Sequence, residues 1–596
     1  MGQRRSTLGA VSDSLIATTT PAAPSTPIQS ALVTDLSRNS IRAYFLERVD
    51  GALRFVAKSE LRFDAARTSA ADPDLWPRLL RELKRASGHR LLAVDHLIVP
   101  QQPRGDGVDA WLQSAALGAT PRGAFLHLGT GPMGSAVRDA VRRSAVSLLE
   151  VSVPERGSGT LGADLHIESL RSFQPEALVA LVAGNETALH RFLQLLRDGI
   201  GSRPLDLITI AAPANTQGRI ERTLVGQTNL RFLPPVAQAA ESVISTLEED
   251  LVAFAHARLV AGPDLGSPLT RPPISRPLAV SAMTRSIARS FNRRVVTISI
   301  NDGCHVYRAT AGQSVMVSLP LVDLDAGITS LTAEEITEAV RWLPFPVAAS
   351  DLLAWVVNRS IRPWTVPYQP RDLLIEQALA RQIARRGLAE IVRANPLALS
   401  DTDLVIGGPM FYRGGQPGSA ALALLDSIDV VPNGGVLDLV LDRDGLLAVA
   451  GALEGLDPAC ATDIAEFDGL SHLGSAVILG GSTAGDELAC RGELHREKGE
   501  PIAFSVAAGN LEVLPLRYGE TASLVIRPER RFSVGGRPAG TAVTFSGNQR
   551  VSGGTVGVIV DARGRSLTAG PLDRPAKVKR WLDTVNRASI PVGRRG

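Results

Sequence analysis

At 596 residues the chain is too long for one core, and three or four domains are expected. Hydrophobic residues at 44% and charged residues at 21% fit ordinary globular domains, while a net charge of +3 excludes a dedicated nucleic-acid binder, whose Lys/Arg excess would supply its affinity. Three cysteines with no close pair (Cys304, Cys460, Cys490) support neither a disulfide framework nor a Cys-rich zinc site, and no apolar run reaches the roughly 18 residues that cross a bilayer.

The opening, MGQRRSTLGAVSDSLIATTTPAAPSTPIQS, has a basic start and no apolar h-region, which predicts a disordered tail over residues 1–29 and a cytoplasmic chain. Gly2 and Ser6 match a myristoylation pattern, but the pattern is short, and a plain basic tail is the reading adopted. From Leu32, LVTDLSRNSIRAYFLERVDGALRFV reads as strand, turn, strand, turn, strand. Next, DLWPRLLRELKRAS has helical spacing and RLLAVDHLIVP is strand-like. AFLHLGTG, SAVRDAVRRSAVSLLEV, ALVALVAGN and LDLITIAAPAN then alternate strands with helices, the mark of an α/β fold. A long amphipathic helix ends near residue 260, and a Pro- and Gly-rich crossing follows. The meander then recurs as RRVVTISINDGCHVYRATAGQSVMVSL, which predicts two related lobes. The helix TAEEITEAVRWL, the stretch RPWTVPYQP and the long helix RDLLIEQALARQIARRGLAEIV follow. DLVIGGPM is strand then Gly turn, and VLDLVLDRDGLLAVAGAL begins as strand and ends as helix. After about Gly485, Val/Leu/Thr runs broken by Gly predict a separate β-rich domain closed by the helix RPAKVKRWLDTVN.

RWLPF with RSIRPWTVPYQPRDLLIEQALAR, then DLVIGGPMFYRGGQPGSAALALLDSIDVV with VLDLVLDRDGLLAVAGAL, resembles the glutamate mutase MutL family, as does VAGN at Val182 to Asn185. The resemblance covers about residues 30–484, and the β-rich end resembles an extension of longer members. It implies two RNase-H-like lobes of the ASKHA class, as in actin and Hsp70, with ATP and Mg²⁺ in the cleft. It also implies a partner: an adenosylcobalamin-dependent mutase, served as an accessory or chaperone. The expected domains are a tail at 1–29, lobe I with the crossing helix at 30–290, lobe II at 291–484 and the β-rich domain at 485–596.

The family's phosphate turns are Asp-x-Gly-Ser-Thr in the first meander and Asp-Ile-Gly-Gly-Ala-Thr-Thr-Asp in the second. Glycine there lets backbone N–H groups approach phosphate, and Asp helps hold hydrated Mg²⁺. Here Asp35 is kept, Ser37 replaces the glycine, and Arg38, Asn39 and Ser40 replace the small residues. Arg42 stands where the family often has Lys. In the second turn Ser299, Ile300, Asn301, Asp302 and Gly303 replace Asp-Ile-Gly-Gly-Ala, and Asp302-Gly303 is itself a hairpin signal. Gly407 and Gly408 keep the turn that packs under adenine in the family, but Pro409, Met410 and Phe411 add bulk.

Two further patterns are read as structural. Gly129, Gly131 and Gly134 form a loose GxGxxG between a strand and a helix, without the acidic partner a dinucleotide site wants. Cys304 and His305 point to opposite faces of a strand, which disfavours shared metal ligation with Asp302. The expectation is therefore a pseudoenzyme with vestigial nucleotide residues Asp35, Ser37, Arg38, Ser40, Arg42, Asn301, Asp302, Gly303, Gly407 and Gly408. It would bind a protein partner and need no cofactor. The rivals are a weak ATPase using Asp35, Arg42 and the Gly407–Gly408 turn, and a structural assembly scaffold.

Overall fold

The computed structural model describes residues 27–588, apart from 65–71, 73, 94–95, 119, 129–130, 154–159, 183–185, 228, 236–239, 261–268, 302, 320–330, 363, 429, 482–486 and 565–573. Most of the tail expected at 1–29 therefore lies outside the described residues, as do Gly129, Asp302 and Asn185.

Strands β1 (Ser30–Ser37), β2 (Ser40–Val49) and β3 (Ala52–Arg62) make the first antiparallel meander. Its second turn is Asp50-Gly51, with φ of 51° and 86°, the two positive values a type I′ hairpin requires. Helix α1 (Leu75–Ser87) buries Leu79, Leu80 and Leu83 and ends on Gly88 in the left-handed region. β4 (Ala110–Ala116) runs parallel to β1. The chain then leaves this sheet.

β5 (Arg122–Leu128), α2 (Gly131–Val141), β6 (Ser147–Val153), α3 (Thr160–Phe173), β7 (Ala177–Val182), α4 (Glu186–Gln194), β8 (Leu207–Ala211), α5 (Ala214–Thr223) and β9 (Leu230–Leu233) build a second sheet. All five of its strands are parallel, in the order β6-β5-β7-β8-β9. β7, ALVALV, is buried along its whole length, as a parallel strand with both faces covered must be. These strands and helices, expected within lobe I, thus form a doubly wound insertion with a sheet of its own. Alternation along the sequence fixes strand and helix but not which sheet a strand joins. RLLAVDHLIVP corrects another expectation: among its described residues it carries only the isolated bridge Leu92–Leu97.

Helix α6 (Ala240–Val260) returns the chain, burying Val243, Leu247, Leu251, Phe254 and Ala255 along one stripe. β10 (Ile274–Ser275) pairs with β4, completing the order β3-β2-β1-β4-β10, and α7 (Arg276–Ser290) follows directly.

Lobe II repeats the plan. β11 (Val295–Ile300), β12 (Cys304–Ala309) and β13 (Ser314–Leu319) are the second meander. Three helices follow: α8 (Ala333–Val340), opened by a Thr332–Glu335 capping box, α9 (Ala349–Ile361) and α10 (Pro370–Ala394). β14 (Leu404–Gly407), α11 (Pro417–Ser427) and β15 (Val436–Leu441) give the order β13-β12-β11-β14-β15, the same as in lobe I. Two copies of this order, each with a meander and parallel neighbours, are two RNase-H-like lobes. α12 (Leu446–Glu454) and α13 (Pro458–Asp463) lie between them, and α12 packs against α7.

β16 (Ser471–Gly481) continues the lobe II sheet antiparallel to β15. The remainder is β17 (Leu488–Arg496), β18 (Ile502–Ala507), β19 (Leu511–Leu514), β20 (Thr521–Pro528), β21 (Phe532–Val534), β22 (Val543–Phe545), β23 (Val551–Ser552), β24 (Val558–Asp561) and α14 (Arg574–Ala588). β17, β18, β20, β22 and β23 form a small sheet of their own. β24, however, lies parallel to β16, β19 pairs with β24, and β21 pairs with β16. The partition expected at 485 therefore does not divide two cores, because the lobe II sheet runs through it.

Candidate functional site

The first turn, the second turn and the Gly407–Gly408 turn converge between the lobes. Asp35, near the end of β1, is 3% exposed. Its Oδ1 accepts from Ser114 Oγ at 2.7 Å and Arg276 Nε at 2.8 Å, and its Oδ2 accepts from Arg42 Nη1 at 3.2 Å. Burial would raise its pKa, but Arg276 and Arg42 outweigh that and hold it below the ordinary value. Arg276 Nη2 also donates to Leu36 O at 3.0 Å, and Arg42 pairs with Glu60 at 3.4 Å. Burial pushes Glu60 up, yet Arg42, Arg62 and Lys58 bring it down to about 2.

The other residues of the first turn face away from this network. Ser37 Oγ and Ser40 Oγ bond each other at 2.7 Å, and Arg38 is exposed at the hairpin tip. In the second turn Asn301 N–H donates to Gly303 O at 3.0 Å. A Cβ on Gly303 would stand 2.8 Å from Thr120 Oγ1, so this turn is closely packed against the segment before β5. Cys304 points into the lobe II core, and burial raises it to about 12. His305 Nδ1 lies 2.9 Å from Ser318 Oγ, and burial lowers its pKa to about 3, which keeps the ring neutral. At the third turn Gly408 N–H donates to Ile298 O at 2.8 Å. A Cβ on Gly407 would stand 2.7 Å from Leu424, and Met410 and Phe411 fill the lobe II core.

Asp442, after β15, closes the far wall of the cleft. Its carboxylate accepts from Leu446 N–H at 2.7 Å and Leu447 N–H at 3.3 Å, at the start of α12. Burial outweighs these bonds and raises its pKa to about 7. The lobes are also stitched directly. Tyr44 Oη donates to Asp444 O at 2.9 Å, Lys58 Nζ to the same oxygen at 3.2 Å, and Arg54 forms a two-pronged pair with Asp468 at 2.8 and 2.9 Å.

Asp35, Arg42, Arg276, Asn301, Gly408 and Asp442 surround a cavity of about 20 Å³. That is room for about one water, whereas ligand sites span roughly 300–1,000 Å³. Both Asp35 oxygens are already bonded, Arg276 stands where a cation would have to approach, and the Gly408 N–H is spent on Ile298. These residues do not fit Mg-ATP.

Of the sequence candidates, Asp35, Arg42, Asn301 and Gly408 share the cavity; Ser37, Arg38, Ser40, Gly303 and Gly407 do not line it, and Asp302 lies outside the described residues. Sequence reasoning missed Ser114, Arg276, Glu60 and Asp442. Asp442 had a signal, since an Asp four residues before an apolar helical run suits capping of the N-terminal N–H groups. Arg276 had none, because its partner lies 241 residues away.

No family model and no curated protein matches the sequence. Among solved structures, the chain is similar to the xylulose kinase of Bifidobacterium adolescentis at 11% identity, over 73% of this chain and 93% of that one, with a TM-score of 0.26. It is similar to the acetate kinase of Porphyromonas gingivalis at 13% identity, over 68% and 88%, with a TM-score of 0.23. A PPX-GPPA enzyme of Aquifex aeolicus is similar at 10% identity, over 73% and 82%, with a TM-score of 0.18. Scores this low carry no weight; the two-lobe fold rests on the repeated sheet order.

Proposed function

We propose that the chain is an ASKHA-fold pseudoenzyme that acts by binding another protein and does not turn over ATP. The observation behind this reading is Asp35, held on both oxygens by Ser114, Arg276 and Arg42 beside a cavity of about 20 Å³. Phosphoryl transfer depends on positioned donors and a metal, and here the donors and the carboxylate are committed to one another. The partner class is the one the sequence resemblance suggests, an adenosylcobalamin-dependent mutase, met in the cytoplasm. Among the described residues, no helix is long and apolar enough to cross a membrane.

The test has two arms. Calorimetric titration of the full chain with Mg-ATP, followed by a phosphate-release assay on the same sample, is expected to show neither micromolar binding nor turnover. Turnover that Asp35→Ala abolishes would replace this reading with a weak ATPase. Affinity purification of the chain from its own cells is expected to bring down a mutase subunit; recovery only of filament or envelope-assembly proteins would favour the scaffold.

A further inference from the structure

The doubly wound insertion belongs to lobe I by sequence, yet it also touches lobe II. β13 is the edge strand of the lobe II sheet, and an edge leaves a row of N–H and C=O groups open. Here the insertion covers part of that edge. Met316 N–H donates to Arg142 O, just after α2, at 3.0 Å, and β6 lies beside β13. Val137 and Val141 of α2 belong to one buried apolar cluster with Tyr307, Ala309 and Met316 of lobe II, each at most 2% exposed. Thr120, on the chain entering the insertion, is buried so close to the second turn that a Cβ on Gly303 would stand 2.8 Å from its Oγ1. The insertion is fixed to lobe I as well. Leu117 N–H, past the end of β4, donates to Leu259 O of α6 at 2.8 Å, and Arg143 grips Glu248 of α6 with two hydrogen bonds, at 2.8 and 2.5 Å.

We propose that the insertion is a strap that holds the two lobes at one fixed angle. Two-lobe proteins that close on a ligand do so by hinge or shear motion, with the lobes free to part. Here lobe II is held at its β13 edge by the insertion and, beyond β15, by Tyr44, Lys58 and Arg54 through Asp444 and Asp468. A hinge at the α7–α12 crossing swings both of these regions, so opening breaks one set of contacts or the other. Packed interiors do not deform smoothly, and the buried Val141–Met316 region resists a small rotation. The strap therefore presents one unchanging surface to a partner. It stands whether or not the cleft takes nucleotide, since none of its contacts lies on a phosphate group.

The three native cysteines are buried, so Arg85→Cys on α1 and Asn358→Cys on α9, both at exposed positions, place one spin label on each lobe of the full chain. Double electron–electron resonance is expected to give a single narrow distance peak, the same before and after Mg-ATP is added. Reading the distance first without nucleotide separates failure of the strap from failure of the pseudoenzyme reading. Met316→Pro removes the N–H that meets Arg142 O, at an edge where proline leaves the rest of the sheet paired. Gly303→Leu drives Thr120 away. Added together to the labelled chain, the two substitutions should abolish the single narrow peak, with thermal unfolding checking that the variant folds. Amide exchange of the unmodified chain needs no variant: Ser314–Leu319 should exchange as slowly as Cys304–Ala309, although it is an edge strand. A broad or two-peaked distribution without nucleotide, a peak moved by Mg-ATP, a peak still narrow in the folded double variant, or fast exchange at Ser314–Leu319 would each overturn the proposal.

Discussion

Asp35 and Arg276 form a buried ion pair whose charges are matched before any ligand arrives, with Ser114 donating to the same oxygen and Arg42 to the other. Removing one partner of such a pair leaves an uncompensated buried charge and typically costs about 3–5 kcal/mol. Arg276→Met is therefore expected to lower stability in urea unfolding by about 3 kcal/mol. Arg38→Ala, at the exposed tip of the same hairpin, should stay within about 0.5 kcal/mol. Equal losses for the two variants would show that the Arg276–Asp35 pair contributes no more than an exposed side chain does. Asp442 supplies a pH dependence of definite sign. Its pKa is raised to about 7 in the folded chain, while the unfolded carboxyl keeps its ordinary value near 4. Between those values the folded state holds a proton that the unfolded state has lost, so this group's contribution is present at acid pH and is lost as pH rises toward 7. Asp442→Asn should flatten stability over that window, read as thermal midpoint against pH. An unchanged slope would mean that Asp442 titrates normally.

At the scale of elements, α7 and α12 join the lobes through a close crossing. A Cβ on Gly451 of α12 would overlap the carbonyl oxygen of Ala279 on α7, so the glycine sets the distance between the two helices. Gly451→Ala is expected to force the pair apart and cost about 1–3 kcal/mol, as overpacking does, despite the better helix propensity of alanine. Amide exchange should then quicken in both helices; faster exchange in α12 alone would mean that α7 does not hold it. Elements of this kind were legible to different degrees. The two meanders stood out because Asp50-Gly51 and the β-rich runs are local signals. α9 did not, since ASDLLAWVVNRSI lies between Pro-rich stretches and buries only a narrow stripe with Leu352 and Val356. The parallel insertion was readable as strands and helices, but its separation from the β1–β4 sheet depends on pairing, which periodicity does not encode. The cleft residues divided the same way: Asp35 and Arg42 share a hairpin and were visible together, whereas Arg276 reaches them only through the β4–β10 pairing.

Across the whole molecule, the described residues after 486 are bound into lobe II rather than hung from it. β24 pairs with Ala476, Val477 and Ile478 of β16, and β21 pairs with its final residues. α14 lays Val578, Trp581, Leu582 and Val585 against Leu422 of α11. Arg563, after β24, pairs with Asp426 of α11 at 2.9 Å and with Asp561 at 2.9 Å, and Asp426 also pairs with Arg381 of α10 at 3.2 Å. A chain ending at residue 484 would therefore expose an edge of β16, uncover the apolar face of α11 and leave the buried Arg381–Asp426 pair without Arg563. Arg563 and Asp561 leave together, so Arg381 and Asp426 still match each other; the cost lies in the opened sheet edge and the uncovered apolar face of α11, set against the roughly 5–15 kcal/mol that holds a typical domain together. Residues 1–484 expressed alone are expected to be insoluble or to lack a cooperative thermal transition. By contrast, a full-length chain cut once at a protease site placed between Gly481 and Glu487 should run as one species on gel filtration, its two fragments held by the β16 pairings and the Arg563 network. A soluble 1–484 fragment with a sharp transition near that of the full chain would restore the boundary that the Gly-punctuated sequence suggested, and would reduce the shared sheet to a contact between independent domains.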